Sequence, residues 1–165
     1  ERGRILSAQG GVLESEKTFG PVEPHHTLIT HADQVQIYEA VMRDREGKPT
    51  TSLASAKGWA KDNRLLPFGY DFEHSEASYT NPVGVGDDPD FVAGGDTTRY
   101  ELSLPEGASL AGATLSVRLV YQSLSARFLR GLFQNNTPEV AAFKTMYDRA
   151  DVRPVEMTEA SVTLP

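Results

Sequence analysis

Ala113-Thr114-Leu115-Ser116-Val117-Arg118-Leu119-Val120-Tyr121-Gln122-Ser123-Leu124 places Leu115, Val117, Leu119 and Tyr121 at every second position. Alternation with period two marks a strand that turns one face to a core. Upstream, Thr98 to Leu104 repeats the pattern with Tyr100, Leu102 and Leu104 outside Glu101 and Ser103. The connection from Pro105-Glu106-Gly107 to Gly112 is short, so the two segments are expected to pair antiparallel. Downstream, Ser125 to Phe133 changes period: Phe128, Leu129, Leu132 and Phe133 recur at three and four, a helical face. Asn135-Asn136 ends it. Thr137-Pro138-Glu139 opens a second helix with a capping hydroxyl, a proline at the first helical position and an early acid, and Val140, Phe143, Met146 and Tyr147 share its apolar side. Pro154 to Leu164 closes the chain as an alternating strand with Val155, Met157, Ala160, Val162 and Leu164.

Towards the N-terminus, Gly3 to Gln9 and Val12 to Phe19 flank Gly10-Gly11 and read as a hairpin, followed by the loop Gly20-Pro21-Val22-Glu23-Pro24. Thr27 to Thr30 is extended. Asp33 to Arg43 carries Val35, Ile37 and Val41 in alternation broken at Glu39, a strand for which a helix is the competing reading. Arg43 to Pro49 is a charged turn, and Thr50 to Lys61 predicts a short helix capped by Thr50 or Thr51. Asp71 to Thr98, rich in Gly, Asp, Asn and Pro, reads as mostly loop. Together these elements predict a mainly β protein: an antiparallel β-sandwich with short helical insertions, forming one domain over residues 1–165. Its interior would collect Val35, Ile37, Leu102, Leu104, Leu115, Val117, Leu119 and Val162, and truncating Val117 to Ala would cost about 2 kcal/mol.

The 165 residues hold 16 Lys and Arg against 23 Asp and Glu, a net charge of -7. That balance disfavours a basic face for nucleic acid. There is no cysteine, which excludes disulfides, thiolate metal sites, a Cys nucleophile and covalent haem attachment within this segment. No apolar run approaches the roughly 18 residues that a membrane span needs. The opening Glu1-Arg2-Gly3-Arg4 is neither an initiator Met nor a signal peptide, so the chain is expected to be a fragment or a processed product.

Four histidines are present, and His25, His26 and His31 lie close in sequence, with His74 apart. An even spacing of six puts His25 and His31 on one face of an extended chain, as imidazole ligands to a metal would require, while Pro24 and Asp33 around them suit exposed loop ends. Asp87, Asp88, Asp90 and Asp96, with Gly84, Gly86, Gly94 and Gly95 among them, supply oxygen ligands on a backbone able to turn sharply, the need of a Ca2+ site. The same residues are also ordinary turn formers, and the pattern is not that of an EF-hand. In Lys61 to Pro67, Asp62 or Asn63 can cap backbone donors while Arg64 spreads its guanidinium over a carboxylate. Trp59, Arg64 and Tyr70, with Phe68, Phe72 and Tyr79 nearby, are the candidate ligand-binding set, since aromatic faces stack sugar rings. The motifs G-x-S-x-G, H-E-x-x-H and G-x-G-x-x-G and the P-loop are all absent, and nothing singles out a catalytic residue.

Val35-Gln36-Ile37-Tyr38-Glu39, then Gly47, Thr50, Leu53 and Lys61-Asp62-Asn63-Arg64-Leu65-Leu66-Pro67-Phe68-Gly69, resemble the C-terminal region of bacterial multihaem cytochrome c-like proteins. Gly95-Asp96-Thr97, Tyr100 and Leu119-Val120-Tyr121-Gln122-Ser123 extend the likeness. The resemblance implies a noncatalytic accessory domain, periplasmic or extracellular, that packs on a redox module whose C-x-x-C-H motifs and haem lie in a neighbouring domain. The competing expectation is a carbohydrate-binding module with a structural calcium. A hydrolase with acids gathered from loops ranks last.

Overall fold

The computed structural model describes residues 22–152 and 154–165, so the expected hairpin of Gly3 to Phe19 lies outside the described residues. More residues lie in strands than in helices. The chain folds as two compact units that divide between Leu102 and Ser103.

The first unit carries β1 (Leu28–Ile29), β2 (Ala40–Arg43), β3 (Pro49–Thr50), β4 (Gly58–Asp62), the single-turn helix α1 (Ala77–Thr80) and β5 (Arg99–Tyr100). β2 is the centre of an antiparallel sheet of order β3-β2-β4. The charged turn joins β2 to β3 as expected, with Asp44 accepting the Lys48 amide through Oδ1 and Gly47 at φ +83°. Such a positive φ costs a glycine nothing. The helix expected over Thr50 to Lys61 does not form. Thr50 and Ser52 turn their polar groups on the local backbone, Ser52 N donating to Thr50 Oγ1 and Ser55 Oγ to Ser52 O. Those bonds compete with helix formation, and Gly58–Asp62 gains a full ladder against β2 instead, with Val41 opposite Lys61 and a bulge at Val41/Met42.

Asp33 to Arg43 becomes a strand only at its end, because the Ile37 carbonyl is taken by side chains, Lys61 Nζ and Asn63 Nδ2, each at 2.9 Å. Asp71 to Thr98 is mostly loop, as expected, with α1 inside it. The expected pairing of Thr98–Leu104 with Ala113–Leu124 is also replaced. β5 lies parallel to β1, with Arg99 N donating to Thr27 O and Glu101 N to Ile29 O.

The second unit holds β6 (Thr114–Tyr121), α2 (Ala126–Leu132), α3 (Pro138–Arg149) and β7 (Val155–Thr163). Both expected helices form with their caps: Ser125 accepts the Phe128 amide and Thr137 accepts the Val140 amide. β6 pairs antiparallel with β7, from Thr114 opposite Thr163 to Tyr121 opposite Val155, with a register shift at Leu119/Val120.

The buried apolar side chains among the described residues are Ile29, Val41, Ala77 and Phe91 in the first unit and Leu129 in the second. The expected interior is therefore corrected. Leu102, Leu104, Leu115, Val117, Leu119 and Val162 are 42–61% exposed, and Val35 and Ile37 are half-buried. Period two decides which side chains share a face, but a two-stranded ribbon has no second layer to cover that face.

Candidate functional site

The densest polar cluster of the first unit draws on four separated segments. His25 precedes β1, Gln36 and Tyr38 precede β2, Asn63 follows β4, and Asp88 and Asp96 come from the loop between α1 and β5. That loop bends at Gly94, whose φ of +90° is a conformation that L side chains rarely adopt. The side chains of His25, Asp88 and Asp96 are each 1% exposed, and the Phe91 ring meets the imidazole edge-on at 5.4 Å. Asn63 is fully buried.

The proton on His25 is located by its neighbours. Gln36 Oε1 accepts the His26 amide at 2.8 Å, so its Nε2 is the atom that faces His25 Nδ1 at 2.9 Å and Asp96 Oδ2 at 3.3 Å. Asn63 Oδ1 accepts the Glu39 amide at 2.9 Å, so its Nδ2 faces Ile37 O and His25 Nδ1, both at 2.9 Å. Two amide donors converge on Nδ1, which must be the bare acceptor of the ring. The hydrogen sits on Nε2 and is donated to Asp88 Oδ2 at 2.9 Å.

Asp88 also receives the Asp90 amide through Oδ1. Burial opposes its ionisation, but the His25 and Asp90 donors outweigh it and hold the carboxyl below its ordinary value. Asp96 accepts the Tyr38 hydroxyl at 2.7 Å and the Thr97 amide at 2.8 Å. Burial and that carboxylate push the Tyr38 phenol up.

Donor atoms of His25, Asp88 and Asp96 lie within 4.8 Å of one another, the spacing of a metal triad. Their surroundings suit a different role. An imidazole that ligates a metal through Nε2 donates its other N–H to a carbonyl or carboxylate, whereas Nδ1 here faces only amide donors. The residues present fit a hydrogen-bonded clasp that ties the four segments together.

Of the four aspartates read as a calcium site, Asp88 and Asp96 converge, Asp87 is exposed and Asp90 reaches Arg99 at 3.6 Å. His26 donates to Glu23 at 3.0 Å, and His31 and His74 are exposed. Trp59 and Arg64 are neighbours, the guanidinium standing 5.7 Å over the ring, so one face of Trp59 already has a partner. Arg64 also forks onto Asp62 at 2.8 and 2.7 Å, which raises its pKa. Tyr70 lies apart, bonded to Thr80 and Asn81 and edge-on to Phe72. Reading the sequence missed Gln36, Tyr38 and Asn63 as site residues. No local pattern marks them, because the partners that define their roles lie 38 to 60 residues away in the sequence.

Among the described residues no helix is long and apolar enough to cross a membrane. Comparison with family models, with curated proteins and with solved structures gives no match.

Proposed function

We propose that this chain is a noncatalytic accessory domain that binds the haem-bearing part of a multihaem cytochrome c-like protein, in the periplasm or at the cell surface. One observation carries the reading: the β6–β7 ribbon turns Leu115, Val117 and Leu119, with Val162 opposite Leu115, outward at 42–54% exposure. A contiguous apolar face of that kind marks a protein–protein contact, and a two-stranded ribbon is marginal without a covering layer. Strands or helices of the partner would supply the layer that completes a sandwich. The enclosed clasp fits the same reading, since side chains 1% exposed leave a substrate no access.

The test is titration calorimetry of the full chain against the polypeptide encoded beside it. That polypeptide is expected to carry C-x-x-C-H motifs and to bind saturably, and Val117→Asp should weaken binding at least tenfold without changing the far-UV spectrum. Absence of the motifs, or binding indifferent to Val117→Asp, overturns the proposal. A carbohydrate-binding reading is favoured by a separate feature, the 89% and 82% exposure of Phe68 and Tyr79. Retention on an immobilised polysaccharide that Phe68→Ala abolishes would select it.

A further inference from the structure

The alternating row of β6 does not stop at Leu119. Tyr121 follows by two, and the extra residue of the bulge, Met157, lies on β7, because Leu119 pairs with Thr158 and Val120 with Glu156. Period two therefore keeps Tyr121 on the face of Leu115, Val117 and Leu119, with Val155 opposite it. At that end the face runs into a cleft of about 430 Å³ between the ribbon and the last turns of α3. Its size is that of a site that encloses one small guest.

The walls are mainly apolar. Tyr121 and Val155 form the ribbon side, and Phe143, Met146, Tyr147 and Ala150 form the helix side. Phe143 and Tyr147 pack on each other and on Phe133, with centroids 5.9–6.3 Å apart, so these rings are fixed parts of the wall. Tyr121, Met146 and Val155 are 57%, 62% and 59% exposed and offer the surface that a guest would cover.

The charges at the rim select no ion. Lys144 is turned to Asp148 at 2.7 Å, Asp151 is itself engaged, and Arg149 stands in the last turn of α3, where it offsets the negative end of the helix dipole. The Gln122 side chain donates to Leu124 O at 2.7 Å. An ion would give up its water without gaining a counter-charge, a penalty that a neutral ring does not meet. Among neutral guests an aromatic one is favoured, since it meets Tyr121 as a ring pair and Met146 through the thioether, contacts that an aliphatic chain does not make.

We propose that this cleft receives one aromatic side chain of the haem-bearing partner, as the anchor of the contact along the ribbon. The assignment rests on the accessory reading above and names where that contact is strongest. Continuity carries it: a partner segment laid along Leu115, Val117 and Leu119 reaches the mouth of the cleft at Tyr121 without leaving the apolar face. At interfaces the binding energy concentrates on a few large side chains that fill pockets, Trp and Tyr prominent among them.

Two titrations test it. In the first, the full chain is titrated with 3-methylindole, the tryptophan side chain as a free molecule, and followed by NMR of the Met146 methyl group and the Tyr121 ring. One saturable site is expected, and Tyr121→Ala and Met146→Glu, both at positions open to solvent, should each weaken it at least fivefold while the far-UV spectrum is kept. In the second, the polypeptide encoded beside the chain is titrated by calorimetry, where Met146→Glu should weaken binding at least fivefold and 3-methylindole should compete. No saturable 3-methylindole site, or one that both variants leave intact, overturns the anchor. Partner binding that Val117→Asp weakens and Met146→Glu leaves intact also overturns it, while the accessory reading stands. Partner binding indifferent to Val117→Asp overturns the accessory reading and the anchor with it.

Discussion

Asn63 is the residue on which most of the first unit depends. Its one side chain serves the Glu39 amide, the Ile37 carbonyl and His25 Nδ1, and it is fully buried. Removing it strands buried polar groups, each at a cost of about 1–3 kcal/mol. Asn63→Ala is therefore expected to lose roughly 3 kcal/mol in urea denaturation, and a loss of a few tenths would refute the clasp. The direction of the His25 hydrogen yields a second prediction. With Nε2–H pointing at Asp88, zinc, calcium or a chelator should move the melting temperature by less than about 1 °C. A rise with zinc that Asp96→Asn abolishes would show a metal centre instead.

Lys61, 3% exposed, gives a third. Burial pulls its pKa down from 10.5 despite the nearby Glu39 and Glu23 carboxylates. Between that lowered value and 10.5 the unfolded chain binds more protons than the folded one, so stability rises with pH across this window. Below it the cost of burying the charge is fully present. The wild type should thus gain stability relative to Lys61→Met as pH climbs towards 10.5, as measured by denaturation at a series of alkaline pH values. A flat difference would mean that Lys61 is not desolvated.

Elements that look equally convincing in the sequence differ in what holds them. α3 has its cap, its proline and its acid within its own first turn, so Thr137→Ala should cost about 1 kcal/mol. β6 has the clearest alternation in the chain, yet Val117 is 51% exposed. Val117→Ala should therefore cost less than about 1 kcal/mol, below the 2 kcal/mol that a core position would lose. Thermal melts of the two variants side by side decide the order, and a larger loss at Val117 would restore the closed sandwich. The capped helices were legible because a cap and a 3.6 period are local. The segment Thr50–Lys61 was misread because its ladder partner, Ala40–Arg43, sits some 20 residues away and no local pattern announces it.

The whole molecule buries few large apolar side chains: Ile29, Val41 and Phe91 in one unit and Leu129 in the other, among the described residues. The urea slope follows the surface exposed on unfolding and runs at about 1–3 kcal/mol per molar for small proteins. This chain should lie near 1, and a value near 3 would show a core larger than the described one. Composition, charge, the absence of cysteine, the strand-rich character and the helix ends all follow from the sequence alone, since each depends on residues within a turn or two of one another. Only the tertiary structure decided that β6 pairs with β7, that β5 runs parallel to β1, and that His25, Gln36, Asn63, Asp88 and Asp96 share one cluster. Such partners are chosen by long-range hydrogen bonding, where one buried amide must find one acceptor, and local patterns along the chain do not display which distant segment will provide it.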